Sequence, residues 1–205
     1  MKGYTDFLML LSPSDKVKAV VHNHKFYAAS VIGNYESMHS IAHISIKMLH
    51  RQKTFLTEPD ILAFRKRLCV IPPITLTIDG FDYFNHGEEF KTIYARIRNT
   101  PETTQWFKML KQHLRIKEFM VPHITIARNI PVTDFDQLWP HFKATEWNET
   151  FTVNALTVLQ RETFASFAKW EPFTELYFEG KTQYSLAPPK PSLLKPMNDR
   201  QISLF

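Results

Sequence analysis

Two short segments of this 205-residue chain carry the same order of side chains. The first is Ala42-His43-Ile44-Ser45-Ile46. The second is Pro122-His123-Ile124-Thr125-Ile126-Ala127-Arg128, so imidazole, apolar, hydroxyl, apolar recurs at a separation of 80 residues. An extended chain sends alternate side chains to opposite faces. On strands, His43 would share a face with Ser45 and His123 with Thr125, while Ile44, Ile46, Ile124 and Ile126 would point the other way, into a core. If the two strands lie in facing lobes, two imidazoles and two hydroxyls converge on one cleft. Imidazoles titrating near neutrality can serve as general acid and general base, and hydroxyls can donate hydrogen bonds to the non-bridging oxygens of a phosphate. That is a workable metal-free site for phosphodiester cleavage. A single His-x-Ser on a strand is usually structural; the recurrence with matching apolar positions singles this pair out.

The segment from Pro122 to Arg128 resembles the second motif of the 2H (two-histidine) phosphoesterase superfamily, which includes the RNA 2′,5′-ligase-like proteins and the cyclic nucleotide phosphodiesterases. The segment from Ala42 to Ile46 resembles the first, with Ser for the commoner Thr and Ala for a frequent Pro. The order of elements from Phe7 to Leu159 fits as well. The resemblance implies two pseudo-symmetric lobes, each an antiparallel sheet backed by helices, with the active cleft between them. It implies hydrolysis of a 2′,3′-cyclic phosphate end on RNA or a nucleotide, typically to a 2′-phosphate, or the reverse joining to a 2′,5′ linkage, with no cofactor. His43 would then protonate the leaving oxygen, His123 would activate water, and Ser45 and Thr125 would hold the phosphate. Arg128 matches the basic position after the second motif, although strand parity puts it on the Ile124 face, so it reaches the cleft only where the strand twists or ends. An aromatic near Tyr94 is frequent in the family.

The elements that must position these groups can be read from pattern and caps. Strands are expected over Phe7–Leu11, Ile41–Met48, Ile74–Ile78, Phe90–Arg98, Val121–Arg128, Phe151–Leu159 and Phe173–Phe178. Helices should start at Ser12 or Ser14 and run through His24, at Thr57-Glu58-Pro59-Asp60 and run to about Cys69, at Thr100-Pro101-Glu102 and run to about Leu114, and at Thr133-Asp134, with Pro140 a candidate stop. Tyr27–Ser40 resists assignment. The fold class is α+β with mostly antiparallel sheets. On the Phe90–Arg98 strand, Tyr94 and Arg96 face away from Ile93, Ala95 and Ile97. They point toward the cleft, and Tyr94 or Phe84 could stack a base for about 1–3 kcal/mol. Lys47 shares the His43 face at a strand end.

Composition bounds the alternatives. The chain of 24.1 kDa is 44% hydrophobic and 22% charged, which suits one globular domain or two small lobes sharing a core. No apolar run approaches the ~20 residues of a membrane helix, and the first segment reads as a strand and not a signal peptide. Cys69 is the sole cysteine, which excludes a disulfide framework and a Cys-based zinc site and favours an intracellular, cytoplasmic location. His39 and His43 have the offset of a zinc-protease helix, but Ser40 stands where that motif needs glutamate, so no metal site is expected. No Gly-rich phosphate loop or Walker lysine is present, which argues against an ATP-driven ligase. Charge is uneven: residues 47–128 hold 14 basic and 8 acidic groups, whereas 129–180 hold 3 and 8, so the middle of the chain could attract phosphates.

The expected domains are a bilobal unit over 1–184 and a Pro-rich extended tail over 185–205. The tail ends Gln201-Ile202-Ser203-Leu204-Phe205, which resembles the bacterial sliding-clamp-binding pentapeptide, with Gln201, Leu204 and Phe205 as anchors. The alternative to an enzyme is a binding module for RNA ends or nucleotides, recruited to a partner through that tail.

Overall fold

The computed structural model describes residues 3–118 and 121–181. Along the chain these form β1 (Tyr4–Leu11), α1 (Asp15–Ile32), β2 (Ile44–Lys53), α2 (Thr54–Ala63), α3 (Arg65–Leu68), β3 (Ile74–His86), β4 (Phe90–Ile97), α4 (Pro101–Leu114), β5 (His123–Pro131), α5 (Val132–Ala144), β6 (Asn148–Val153), β7 (Ala155–Glu162) and β8 (Glu171–Tyr177). The strands make two four-stranded sheets, ordered β2-β1-β7-β8 and β5-β4-β3-β6. Every pairing is antiparallel. The α+β class and the two sheets backed by helices are as expected. Among the described residues no helix is long and apolar enough to cross a membrane. The tail residues Gln201, Leu204 and Phe205, and the expected boundary after Tyr184, lie outside the described residues.

Each histidine segment lies at a sheet edge. β2 is the edge of one sheet and β5 the edge of the other, and the two strands touch. The lobes therefore meet along the strands that carry the paired motifs. α5 packs across β3, β4 and β5, and α1 touches both α5 and β5. Caps expected from sequence are in place: Ser14 accepts the Val17 N–H at 3.4 Å, and Thr100 accepts the Thr103 N–H at 3.1 Å ahead of Pro101.

Several boundaries differ from the sequence reading: β2 starts at Ile44 and not Ile41, leaving His43 just before the strand, β3 runs past Ile78 to His86, and the helix expected to reach Cys69 is divided into α2 and α3. α1 does not stop at His24 but runs to Ile32, where Gly33, at φ 77°, turns the chain. α2 begins at Thr54, not Thr57; Thr54 is buried and its hydroxyl bonds Thr5 across 2.8 Å, so tertiary packing sets the start. Pro140 and Pro59 both lie inside helices, where each forfeits a single backbone bond. The expected strand Phe151–Leu159 is two strands in different sheets. β6 pairs with β3, β7 pairs with β1, and Asn154 alone separates them. The apolar rhythm records the switch: Phe151 and Val153 are buried, then Ala155 and Leu156 are buried in succession before alternation resumes at Val158.

Candidate active site

His43 stands one residue before β2, and His123 is the first residue of β5. The two rings are held in the same way. Nδ1 of His43 lies 2.7 Å from the Ile41 carbonyl, and Nδ1 of His123 lies 2.8 Å from the Val121 carbonyl. A carbonyl only accepts, so each Nδ1 must carry the proton. Nε2 is then the free nitrogen of each ring, able to take a proton when neutral and to give one when the ring is charged. Ser45 follows on the same face of β2, opposite Leu10, and Thr125 on the same face of β5, opposite Tyr94.

The backbone repeats the symmetry. In β2, Leu10 pairs with Ser45 but Met9 pairs with Lys47, so Ile46 is an extra residue. In β5, Tyr94 pairs with Thr125 but Ile93 pairs with Ala127, so Ile126 is extra. A bulge thus falls three residues after each histidine and shifts the side-chain alternation by one. Ile126 and Ala127 are both fully buried, and Arg128 swings to the His123 and Thr125 side. Simple parity puts Arg128 on the Ile124 face; the bulge overturns that. The same step carries Lys47 off the His43 face to a position opposite Met9, and leaves Met48 where Arg128 stands on the other strand. The two strands are therefore alike in histidine, hydroxyl and bulge but not in charge. A second irregularity follows in each, at Arg51 and Asn129, both at φ 52°. Their N–H groups are taken up by Asp6 Oδ1 at 2.9 Å and Thr92 Oγ1 at 3.0 Å.

Burial holds both imidazoles below their ordinary titration range, while the carbonyl on each Nδ1 works the other way by favouring the charged ring. Nearby cations add to burial: Lys25 and Arg128 act on His43, and His43 and Arg128 act on His123. Arg128 therefore acts on both rings. A charge on one ring opposes a charge on the other, so the doubly protonated pair is disfavoured.

One wall of the site is aromatic. Phe84 and Tyr94 stack at 4.2 Å between ring centres, and both lie against His123, at 5.0 and 5.2 Å. Tyr94 is buried, and its hydroxyl is pushed up to about 12 by burial and by the Asp82 carboxylate. Phe84, only partly buried, has ring surface left for a ligand. Arg96 stands opposite His123, and its guanidinium is engaged by Asp79, through the backbone carbonyl at 3.0 Å and the carboxylate at 3.5 Å. Among the described residues, no three His, Cys, Asp or Glu side chains gather as metal ligands.

Sequence reasoning missed Lys25. It is only 1% exposed, yet it falls on the buried stripe Val17, Val21, Lys25, Ala28 of α1. Ending the helix at His24 hid that spacing. Burial pushes its ammonium down to about 8. It also missed the α1–β2 loop, whose Tyr35 hydroxyl lies 3.2 Å from the Ile126 carbonyl and whose Ser37 Oγ accepts the Arg128 N–H at 2.9 Å. The loop thereby satisfies the outer edge of β5.

The family model described as the 2′-5′ RNA ligase superfamily matches residues 22–163. Among solved structures, TT0787 of Thermus thermophilus superposes with a TM-score of 0.63 at 15% identity, over 86% of this chain and 100% of that one. E. coli LigT complexed with phosphate superposes at 0.55 and 14% identity, over 86% of this chain and 98% of that one. LigT complexed with 3′-AMP gives 0.55 and 14%, over 85% and 98%. At such identities the likeness is one of fold. None of the curated proteins matches the sequence. The match spans both histidine strands, the bulges that follow them and the sheet edges where they meet, and the chain belongs to the 2′-5′ RNA ligase superfamily of 2H phosphoesterases.

Proposed function

We propose that this chain is a metal-independent phosphodiesterase acting on 2′,3′-cyclic phosphate ends of RNA or nucleotides. The observation that carries the reading is the matched pair of imidazoles, each tethered through Nδ1 to a carbonyl, each with Nε2 free, and both within the influence of one guanidinium. In hydrolysis, Nε2 of neutral His123 takes a proton from water as the water oxygen bonds to phosphorus. The bond from phosphorus to the 3′ oxygen breaks, and Nε2–H of charged His43 protonates that oxygen, leaving a 2′-phosphate. The Ser45 and Thr125 hydroxyls and Arg128 hold the non-bridging oxygens, whose charge grows as the water adds. With a 5′-hydroxyl on RNA in place of water, the same step in the same roles joins two RNA ends through a 2′,5′ linkage and frees the 3′-hydroxyl; only the cleavage of that linkage back to the cyclic phosphate exchanges acid and base. Phe84, backed by Tyr94, stacks the base next to the phosphate, and Arg96 reaches it on release from Asp79.

Turnover of a panel of 2′,3′-cyclic nucleotides and cyclic-phosphate-ended RNAs tests this, with products assigned by mass and phosphorus NMR. Activity should persist in EDTA and fall at least ~100-fold in His43→Ala and in His123→Ala. Full activity in either variant refutes the mechanism. Affinity without turnover on any member of the panel selects a binding module instead.

The tail belongs to the proposal as a recruitment peptide. Gln201, Leu204 and Phe205 have the spacing of a clamp-binding pentapeptide, an extended segment with apolar anchors. A tail peptide should bind purified bacterial sliding clamp, and no binding at high micromolar concentration removes the idea.

A further inference from the structure

We propose that Lys25 is a positioning residue for the two-histidine site, holding through its buried ammonium the turn that aims both His43 and Arg128. The inference rests on the phosphodiesterase reading only for its kinetic arm. A buried ammonium is costly, and among the described residues no carboxylate pairs with this one. An apolar side chain of like length would fill that position on α1 without the cost, so packing does not explain the charge.

What the charge does is visible in its partners. Nζ donates to the Ser37 carbonyl at 2.8 Å, the Ser40 carbonyl at 2.8 Å and Ser40 Oγ at 2.6 Å. Three carbonyl and hydroxyl oxygens of one turn thus converge on one cation. Both ends of that turn lead to the site. At one end, Ser37 Oγ accepts the Arg128 N–H at 2.9 Å and contacts the Ile126 carbonyl at 3.4 Å, clasping the bulge that swings Arg128 to the His123 side. Tyr35 joins there, its hydroxyl shared between the Ile126 and Lys25 carbonyls. At the other end, one residue past Ser40, the Ile41 carbonyl holds Nδ1 of His43. The lysine therefore sits at the root of a bracket from α1 to both edge strands, and its charge bears on His43 directly.

Lys25→Met tests this in the full chain. The variant should still fold, because the desolvation cost removed with the ammonium offsets the loss of its bonds to the Ser37 and Ser40 oxygens. In the kinetic arm, kcat on a 2′,3′-cyclic nucleotide should fall on the order of 10- to 100-fold, as expected of a displacement of about 1 Å, with KM little changed. In the NMR arm, run without substrate, the His43 ring should titrate at higher pH and move further than His123. The cations facing His43 are Lys25 from α1 and Arg128 from β5, whereas those facing His123 are His43 and Arg128. General loosening would move both rings alike. Wild-type kcat with an unmoved His43 overturns the proposal, as does an equal shift of the two rings. Should Lys25→Met fail to fold, Ser40→Ala keeps the ammonium and removes its shortest contact; a smaller fall in kcat with KM little changed supports the role, and unchanged kcat overturns it. If wild type turns over no cyclic phosphate, the phosphodiesterase reading fails, and the NMR arm still decides the role of Lys25.

Discussion

Arg128→Met gives the sharpest test of the geometry, because the bulge at Ile126 is the reason the guanidinium reaches the site. A charge-assisted hydrogen bond to phosphate contributes about 1.5–3 kcal/mol. Arg128 is exposed, so solvent screens it and the lower half of that range applies, a loss of about 13- to 45-fold in kcat/KM. Arg128→Lys keeps the charge but not the fork and should fall between wild type and Met. The second consequence is electrostatic. Arg128 depresses the titration of both rings, so its removal must raise both. The acid limb of the rate profile, which needs one neutral ring, then moves to higher pH; the alkaline limb, which needs one charged ring, moves the same way, and the optimum shifts alkaline. The assay is kcat/KM on a 2′,3′-cyclic nucleotide across pH 4 to 9, with the two rings titrated by NMR in parallel. If only His123 moves, the guanidinium is not shared between the rings; if His123 does not move, the placement argued from the bulge is wrong. Activity within twofold of wild type at every pH refutes its part in holding phosphate.

Three further outcomes are expected. Phe84→Ala should raise KM for a cyclic nucleotide by about 1–3 kcal/mol of lost stacking while leaving kcat near wild type, measured by steady-state kinetics; its effect should vanish on a cyclic phosphate lacking a base. His24 lies among Phe81, Phe142 and Trp147, and burial, helped by His141, lowers its titration to about 4. The unfolded chain then binds a proton there before the folded one does, so stability is full above about pH 6.5 and drops by ~2 kcal/mol between pH 7 and 5. Urea unfolding of wild type and His24→Phe at the two pH values checks this, and an equal drop in both discards it. Ser37→Ala should remove the acceptor of the Arg128 N–H and lower kcat in the same sense as Lys25→Met.

Much of this site was legible because strand chemistry has period two. The motifs around His43 and His123 name their own buried and open faces, and the caps at Ser14 and Thr100 mark helix starts that the structure keeps. What could not be read depends on partners far along the chain. A bulge is a property of two strands, so Arg128 alone does not disclose its face; only the change of register against β4 does. The sheet switch at Asn154 looked like one strand because both halves are extended and apolar, and the sole trace is the doubled burial of Ala155 and Leu156. Lys25 was hidden for a different reason. A lysine on an apolar stripe argues against burial until the oxygens that receive it are known, and those oxygens belong to a turn without a pattern of its own.

The ladder orders also have a consequence for how the molecule comes into being. One sheet is built wholly from the contiguous stretch between Ile74 and Val153, whereas the other joins β1 and β2 to β7 and β8 from beyond it. On the ribosome, the sheet bearing His123 can close while the sheet bearing His43 still lacks its central neighbour. β1 must wait through some 140 residues of synthesis for β7, and contacts of that separation are slow to form. A nascent or truncated chain thus carries one finished half of the cleft, and the second imidazole takes its station only when the polypeptide returns from its inserted lobe.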